Sequence, residues 1–172
     1  MMLKKMLWIG LMPLSTLFAL TIGEVPQSVQ IDKSNGGLVS GGTWDSASLV
    51  DKVHVVFYVD PDEKDLNEGF ADRLKKEGFD KNKYATVAII NLAATWKPNI
   101  IINALLKKKQ KKFPSAVYVK DKNKVLVKRW GLADDNSDIL VFDKDGKLLF
   151  SKAGKLSEAE MEQAVSLINA HL

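Results

Sequence analysis

The sequence predicts an α/β protein, an α/β/α sandwich around a mixed central sheet. Three observations carry that expectation. Two runs, residues 53–59 and 84–93, are apolar on both faces, as strands covered on both sides are. Apolar residues at helical spacing follow each run, so the two strands read as parallel neighbours joined by a crossover. A late hairpin signal and an amphipathic closing segment add antiparallel strands and a terminal helix.

Each element has its own justification. Residues 24–52 read as short strands and turns, with "VQI" followed by the turn signal "SNGG". In "VHVVFYV", 53–59, Val53, Val55, Phe57 and Val59 alternate with His54, Val56 and Tyr58. From Asp62 the period changes: Leu66, Phe70 and Leu74 form one helical stripe, and Gly78 supplies a stop. "YATVAIINLA", 84–93, is the second buried strand. After Pro98, "NIIINALLKKKQKK" reads as a helix with apolar residues early and lysines late. "SAVYVKD", 115–121, and "KVLVKRW", 124–130, read as a strand pair around "KDKNK". "DILVF", 138–142, and "KLLFS", 147–151, read as a hairpin around "DKDG". In the closing helix Ser157 and Glu160 make a capping box, and Met161, Ala164, Val165 and Ile168 make the buried face.

The 172 residues suit one domain, expected over 20–172. With no cysteine anywhere, disulfides, thiol redox catalysis and zinc–thiolate sites are excluded. "MMLKK" followed by 15 uncharged residues has the layout of a secretory signal peptide, expected over 1–19 with cleavage as late as Gly23. Its removal takes away Lys4 and Lys5 and lowers the net charge from +4 to +2. A chain that near to neutrality makes no general claim on nucleic acid. No membrane span is expected in the mature chain.

The stretch "FYVDPDEKD", 57–65, sits where the first long strand gives way to a helix. Asp60 suits an N-cap, Pro61 the first helical position and Glu63 the third, while Asp62 and Asp65 complement the helix dipole. His54 and His171 are too far apart in sequence to suggest a metal pair. No Gly-x-Ser-x-Gly elbow and no phosphate-binding loop occurs. No catalytic residue, metal ligand or cofactor is expected.

The order of elements resembles the thioredoxin fold in its peroxiredoxin-like form. More closely, the chain resembles the YtfJ family of periplasmic thioredoxin-like proteins. The residues that carry the likeness are "WDSASLVDKV" (44–53), "AIIN" (88–91) with Trp96, "KKFP" (111–114), "KRWGL" (128–132) and "ILVFDKDGKL" (139–148), followed by the terminal helix. The resemblance implies secretion to the periplasm, a thioredoxin-like scaffold and an unknown periplasmic protein or small ligand as partner. In redox-active thioredoxins the junction after the first core strand holds a Cys-x-x-Cys pair. "DPDEK" stands there in this chain, and "GLADDNSD", 131–138, lacks the proline of the facing loop.

The resemblance also implies that Asp134, Asp135 and Asp138 face Asp60, Asp62 and Glu63. Such a corner is either helix-capping acid or a carboxylate site for a divalent cation or for acid–base work. Lys107, Lys108, Lys109, Lys111 and Lys112 complement a helix C-terminus, or else hold an acidic partner, lipid headgroups or nucleic acid. Trp96 and Trp130 are packed side chains or exposed interface anchors. The expected function is a secreted, non-catalytic binding module. The alternatives are a carboxylate-based cation site or enzyme at 60–63 and 134–138, and a nucleic-acid binder using 107–112.

Overall fold

The computed structural model describes residues 20–172, and the expected leader at 1–19 lies outside them. In chain order the strands are β1 (Gln30–Ile31), β2 (Gly36–Leu38), β3 (Trp44–Asp45), β4 (Val53–Val59), β5 (Tyr84–Asn91), β6 (Val117–Asp121), β7 (Ser137–Phe142) and β8 (Leu148–Ala153). The helices are α1 (Glu68–Glu77), α2 (Asn99–Lys112), α3 (Val125–Trp130) and α4 (Glu158–His171). Six strands form one sheet in the order β2-β6-β5-β4-β7-β8, and β1 pairs with β3 apart from it.

β4 is central because its β-branched and aromatic residues suit a strand buried on both sides. It runs parallel to β5 and antiparallel to β7, and β5 runs parallel to β6. β2 and β8 close the edges in antiparallel pairings. The expected mixed sheet and late hairpin are therefore both present.

Alternation along the strands divides the core. Val56, Tyr58, Val87, Ile89, Val119 and Leu140 pack with Leu126 and Trp130 of α3 and with Trp44 from the N-terminal segment. On the opposite face Val53, Val55, Ile139 and Val141 pack against Phe70 and Leu74 of α1 and Ala164, Val165 and Ile168 of α4. A smaller cluster there joins Ile102 and Leu106 of α2 to Leu92 and Tyr118. Gly36 lets β2 approach: its φ is 125°, and a Cβ would lie 1.9 Å from the Lys120 carbonyl oxygen.

Two expectations are corrected. Residues 124–130 do not pair with 115–121 as a strand; they turn into α3. Leu126 and Trp130, four residues apart, are both buried, and the Asp121 carboxylate accepts the Val125 and Leu126 N–H groups at 2.9 and 3.1 Å. The free side of β6 is taken by β2 instead. The first helix also begins later than Asp62, at Glu68. Asn67 fixes that start: its amide donates to Ser137 Oγ and the Gly154 carbonyl and accepts the Leu156 N–H. Asp60 therefore caps a turn and not the α-helix. Its Oδ1 accepts the Asp62 N–H at 2.8 Å, and its carbonyl takes the Glu63 N–H at 3.0 Å.

Candidate functional site

In a sheet of this order, the C-terminal ends of the parallel strands meet the start of the antiparallel strand at one corner. The period of two brings Tyr58 of β4, Asp60 just beyond its end, and Asn91 from β5 to the same face as Asp121 of β6. Asp138 lies directly across from Tyr58 in the β4–β7 ladder. The loop before β7 is tied on by the Asp60 N–H, which donates to the Asn136 carbonyl at 2.9 Å. Asp60, Asn91, Asp121 and Asp138 are all buried.

These groups differ sharply in how well they are partnered. Asp121 is fully satisfied, accepting from the Tyr58 hydroxyl at 3.2 Å and from three backbone N–H groups. Burial, reinforced by the Asp121 charge, drives the Tyr58 phenol well above its ordinary pKa. Asp138 has one long bond, from the Ala133 N–H at 3.4 Å, and its Oδ2 has no partner. Burial pushes its carboxyl up to about 6. Asp60 is raised too, chiefly by burial and further by the charges of Asp62, Asp135 and Glu63.

The outer acids have found cations. Asp62 accepts from Lys97 and from the Thr95 hydroxyl, and both bonds hold its carboxyl low. Asp134 accepts from Lys124 and from the Asn91 amide, and is likewise held low. The expected meeting of loop 131–138 with residues 60–63 takes place, but lysines thread between the acids. Among the described residues no group of three or more histidine, cysteine, aspartate or glutamate side chains is placed to hold a metal ion. Chemically the corner offers a buried carboxyl that changes charge near neutral pH, beside a satisfied phenol–carboxylate pair. It offers no thiolate, since the chain has no cysteine.

Beyond Lys97 the surface changes character. Trp96 is 86% exposed, followed on α2 by Ile100 at 78%, Ile101 at 54% and Leu105 at 57%. Lys107, Lys108, Lys109, Lys111 and Lys112 continue the same helix and are exposed. Trp130 offers no exposed anchor, because it is buried with its Nε1 donating to the Gln27 carbonyl at 2.9 Å. His54 is a packed histidine whose Nδ1 meets the Lys52 carbonyl at 2.9 Å, and burial lowers its pKa. Reading the sequence missed the exposed isoleucines of α2 and the buried trio Tyr58, Asn91 and Asp121. The signal for the first was present: apolar residues surround the opening turns of 99–106, and only one side of a helix packs on a sheet.

The fold and this corner together define a class, a thioredoxin-like protein whose strand-end corner is built of acid, amide and phenol. Solved structures share the fold. One is the exposed lipoprotein thioredoxin Etrx1 of Streptococcus pneumoniae, 15% identical with a TM-score of 0.55 over 82% of this chain and 99% of that one. Another is a thiol-disulfide isomerase of Corynebacterium glutamicum, 15% identical with a TM-score of 0.57 over 84% and 96%. A third is yeast Sco1, 14% identical with a TM-score of 0.55 over 80% and 92%.

The chain belongs to the family described as "Bacterial protein of unknown function (YtfJ_HI0045)", whose model matches residues 24–171. Its relatives include an uncharacterized protein of Haemophilus influenzae, 37% identical over 73% of this chain and 70% of that one. They also include the uncharacterized protein YtfJ of Escherichia coli, 29% identical over the same shares.

Proposed function

We propose that the protein is a secreted, periplasmic binding module on a thioredoxin-like scaffold, with no catalysis of its own. One observation carries the reading. The largest exposed apolar side chains beside the strand-end corner, Trp96, Ile100, Ile101 and Leu105, lie together on one element and its approach. A contiguous apolar surface of this kind marks an interaction site. The absence of cysteine supports the other half, since the thiol chemistry of redox-active relatives of this fold has no atom to act through. Secretion is supported by the basic start and uncharged run at the N-terminus. Removal after Ala19 fits best: Leu20 packs against the core, and the Gly23 N–H donates to the Leu148 carbonyl at 2.7 Å. No helix among the described residues is long and apolar enough to cross a membrane.

Photocrosslinking in living cells tests the reading. A photoreactive phenylalanine analogue replacing Trp96 or Ile101 is expected to give discrete adducts, while the same analogue at exposed Lys155 gives none. Equal labelling at all three positions, or none at any, overturns it.

A carboxylate-centred activity is the second reading, favoured by buried Asp138, whose Oδ2 has no partner and whose carboxyl is pushed up to about 6. It requires turnover of ester, phosphoester or glycoside substrates that follows an ionisation near pH 6 and vanishes in Asp138→Asn.

A further inference from the structure

We propose that the outward face of α2 docks on an anionic lipid bilayer, with Trp96, Ile101 and Leu105 entering the interface and the lysines meeting headgroup phosphates. This rests on the binding-module reading and names what the module meets.

The charge distribution is one support. The forty residues between Asp80 and Asp121 contain nine lysines and no acid, while the rest of the chain sums to −5. Within that stretch only Lys97 is in an ion pair among the described residues, so the five lysines of α2 keep their charge for a partner. Lys107 also lies near Lys120 and Lys122, where the accumulated positive charge helps to lower the Lys120 pKa beneath a larger effect of burial.

The geometry of the helix is the other. Ile102 and Leu106 pack inward. At 3.6 residues per turn, Ile100, Ala104, Lys107 and Lys111 line up on the opposite side, and Ile101, Leu105, Lys108 and Lys112 form a second row on the flank beside them. All eight are exposed. The outer face is thus apolar for its first two turns and cationic for its last two. A helix lying flat in a bilayer surface uses that combination, with lysine stems running along the acyl boundary and amines reaching phosphate. A protein partner fits less well. Protein interfaces ring an apolar centre with a polar rim and are depleted in lysine, favouring arginine. Here charge follows apolar surface along a convex helix, and no arginine occurs between Asp80 and Asp121.

Co-sedimentation with vesicles decides it. Vesicles of phosphatidylglycerol and phosphatidylcholine are compared with phosphatidylcholine alone, using protein recovered from the producing cell. Every variant shares the wild-type N-terminus, so any contribution of residues 1–19 cancels. The wild type is expected to sediment with the anionic vesicles at low salt and to be released by high salt. Each lysine near a charged surface is worth roughly five-fold in binding, so Lys108→Gln, Lys111→Gln and Lys112→Gln together should weaken it on the order of 100-fold. Trp96→Ala with Leu105→Ser should weaken it independently of salt. These residues are exposed, and unchanged circular dichroism verifies each fold.

Binding equal on both vesicle types, or unaffected by either set of substitutions, overturns the lipid assignment. If vesicles fail while the crosslinker at Trp96 captures an acidic protein, the lipid assignment falls and the binding module stands. If both fail, both readings fall.

Discussion

Asp138 is the residue at which burial and charge conflict most openly. It is 3% exposed, its Oδ2 is unpartnered, and its carboxyl is raised from 3.8 to about 6. The sign of the consequence follows from linkage. An unfolded chain releases this proton near the ordinary aspartate value, whereas the folded protein keeps it until about pH 6. The favourable contribution is therefore complete below about pH 4 and is lost as pH rises through about 6, by at most about 3 kcal/mol. Urea denaturation of the wild type and of Asp138→Asn tests this. The stability of the wild type relative to the variant should fall by about 2–3 kcal/mol between about pH 4 and pH 7. A difference that stays constant across that range would contradict the burial argument. Nothing local marks Asp138 as unusual. It lies four residues beyond Asp134 in the same acid-rich run, yet a Lys124 contact holds Asp134 low, and only the surrounding chain separates the two.

Among the elements, α3 depends on a single side chain more than any other does. Asp121 ends β6, and its carboxylate gathers the Asn123, Val125 and Leu126 N–H groups and the Tyr58 hydroxyl. A helix of six residues has little stability of its own, so this cap and the burial of Leu126 and Trp130 hold it. Asp121→Ala should cost about 3 kcal/mol or more, since several buried donors lose their acceptor at once. Amide exchange should show α3 losing protection before the rest of the sheet; retained protection would contradict its dependence on Asp121. Asp121→Asn keeps one acceptor oxygen and should cost less.

The same element shows why sequence patterns went astray there. Val125 and Val127 are β-branched and the segment is short, so strand and helix signals compete. The decision came from Asp121 upstream and from β2 occupying the edge of β6. By contrast α4 announced itself. Its capping box is local, with the Glu160 N–H donating to Ser157 Oγ and the Ser157 N–H donating to Glu160 Oε2. Glu160 is held down to about 2, first by its bond with Lys152 and then by Ser157.

Taken whole, the molecule is electrically lopsided, with a lysine-only stretch at 81–120 and an acidic remainder. The acids do not gather into a cation site among the described residues, because Lys97 and Lys124 neutralise the outer pair and Asp60 and Asp138 are sealed in. Millimolar calcium, magnesium or manganese should therefore leave the melting temperature unchanged; a rise of several degrees would reinstate a cation at the corner.

Apart from α3, whose residues read as a strand, the sequence by itself determined the order of the main strands and helices, the two-faced burial of β4, the late hairpin and the closing helix. It also determined the absence of thiol chemistry. All of these are set by composition or by periodicity over a few residues. Tertiary structure alone decided that Trp130 is buried, that Asp121 caps a helix and that burial pushes the Asp138 carboxyl up to about 6. It also decided that the outer side of α2 stays bare. Each of these depends on which distant segment covers a side chain, as the Gln27 carbonyl meets Trp130 from 103 residues away. Burial by remote chain is a property of the packed molecule, and no local pattern encodes it.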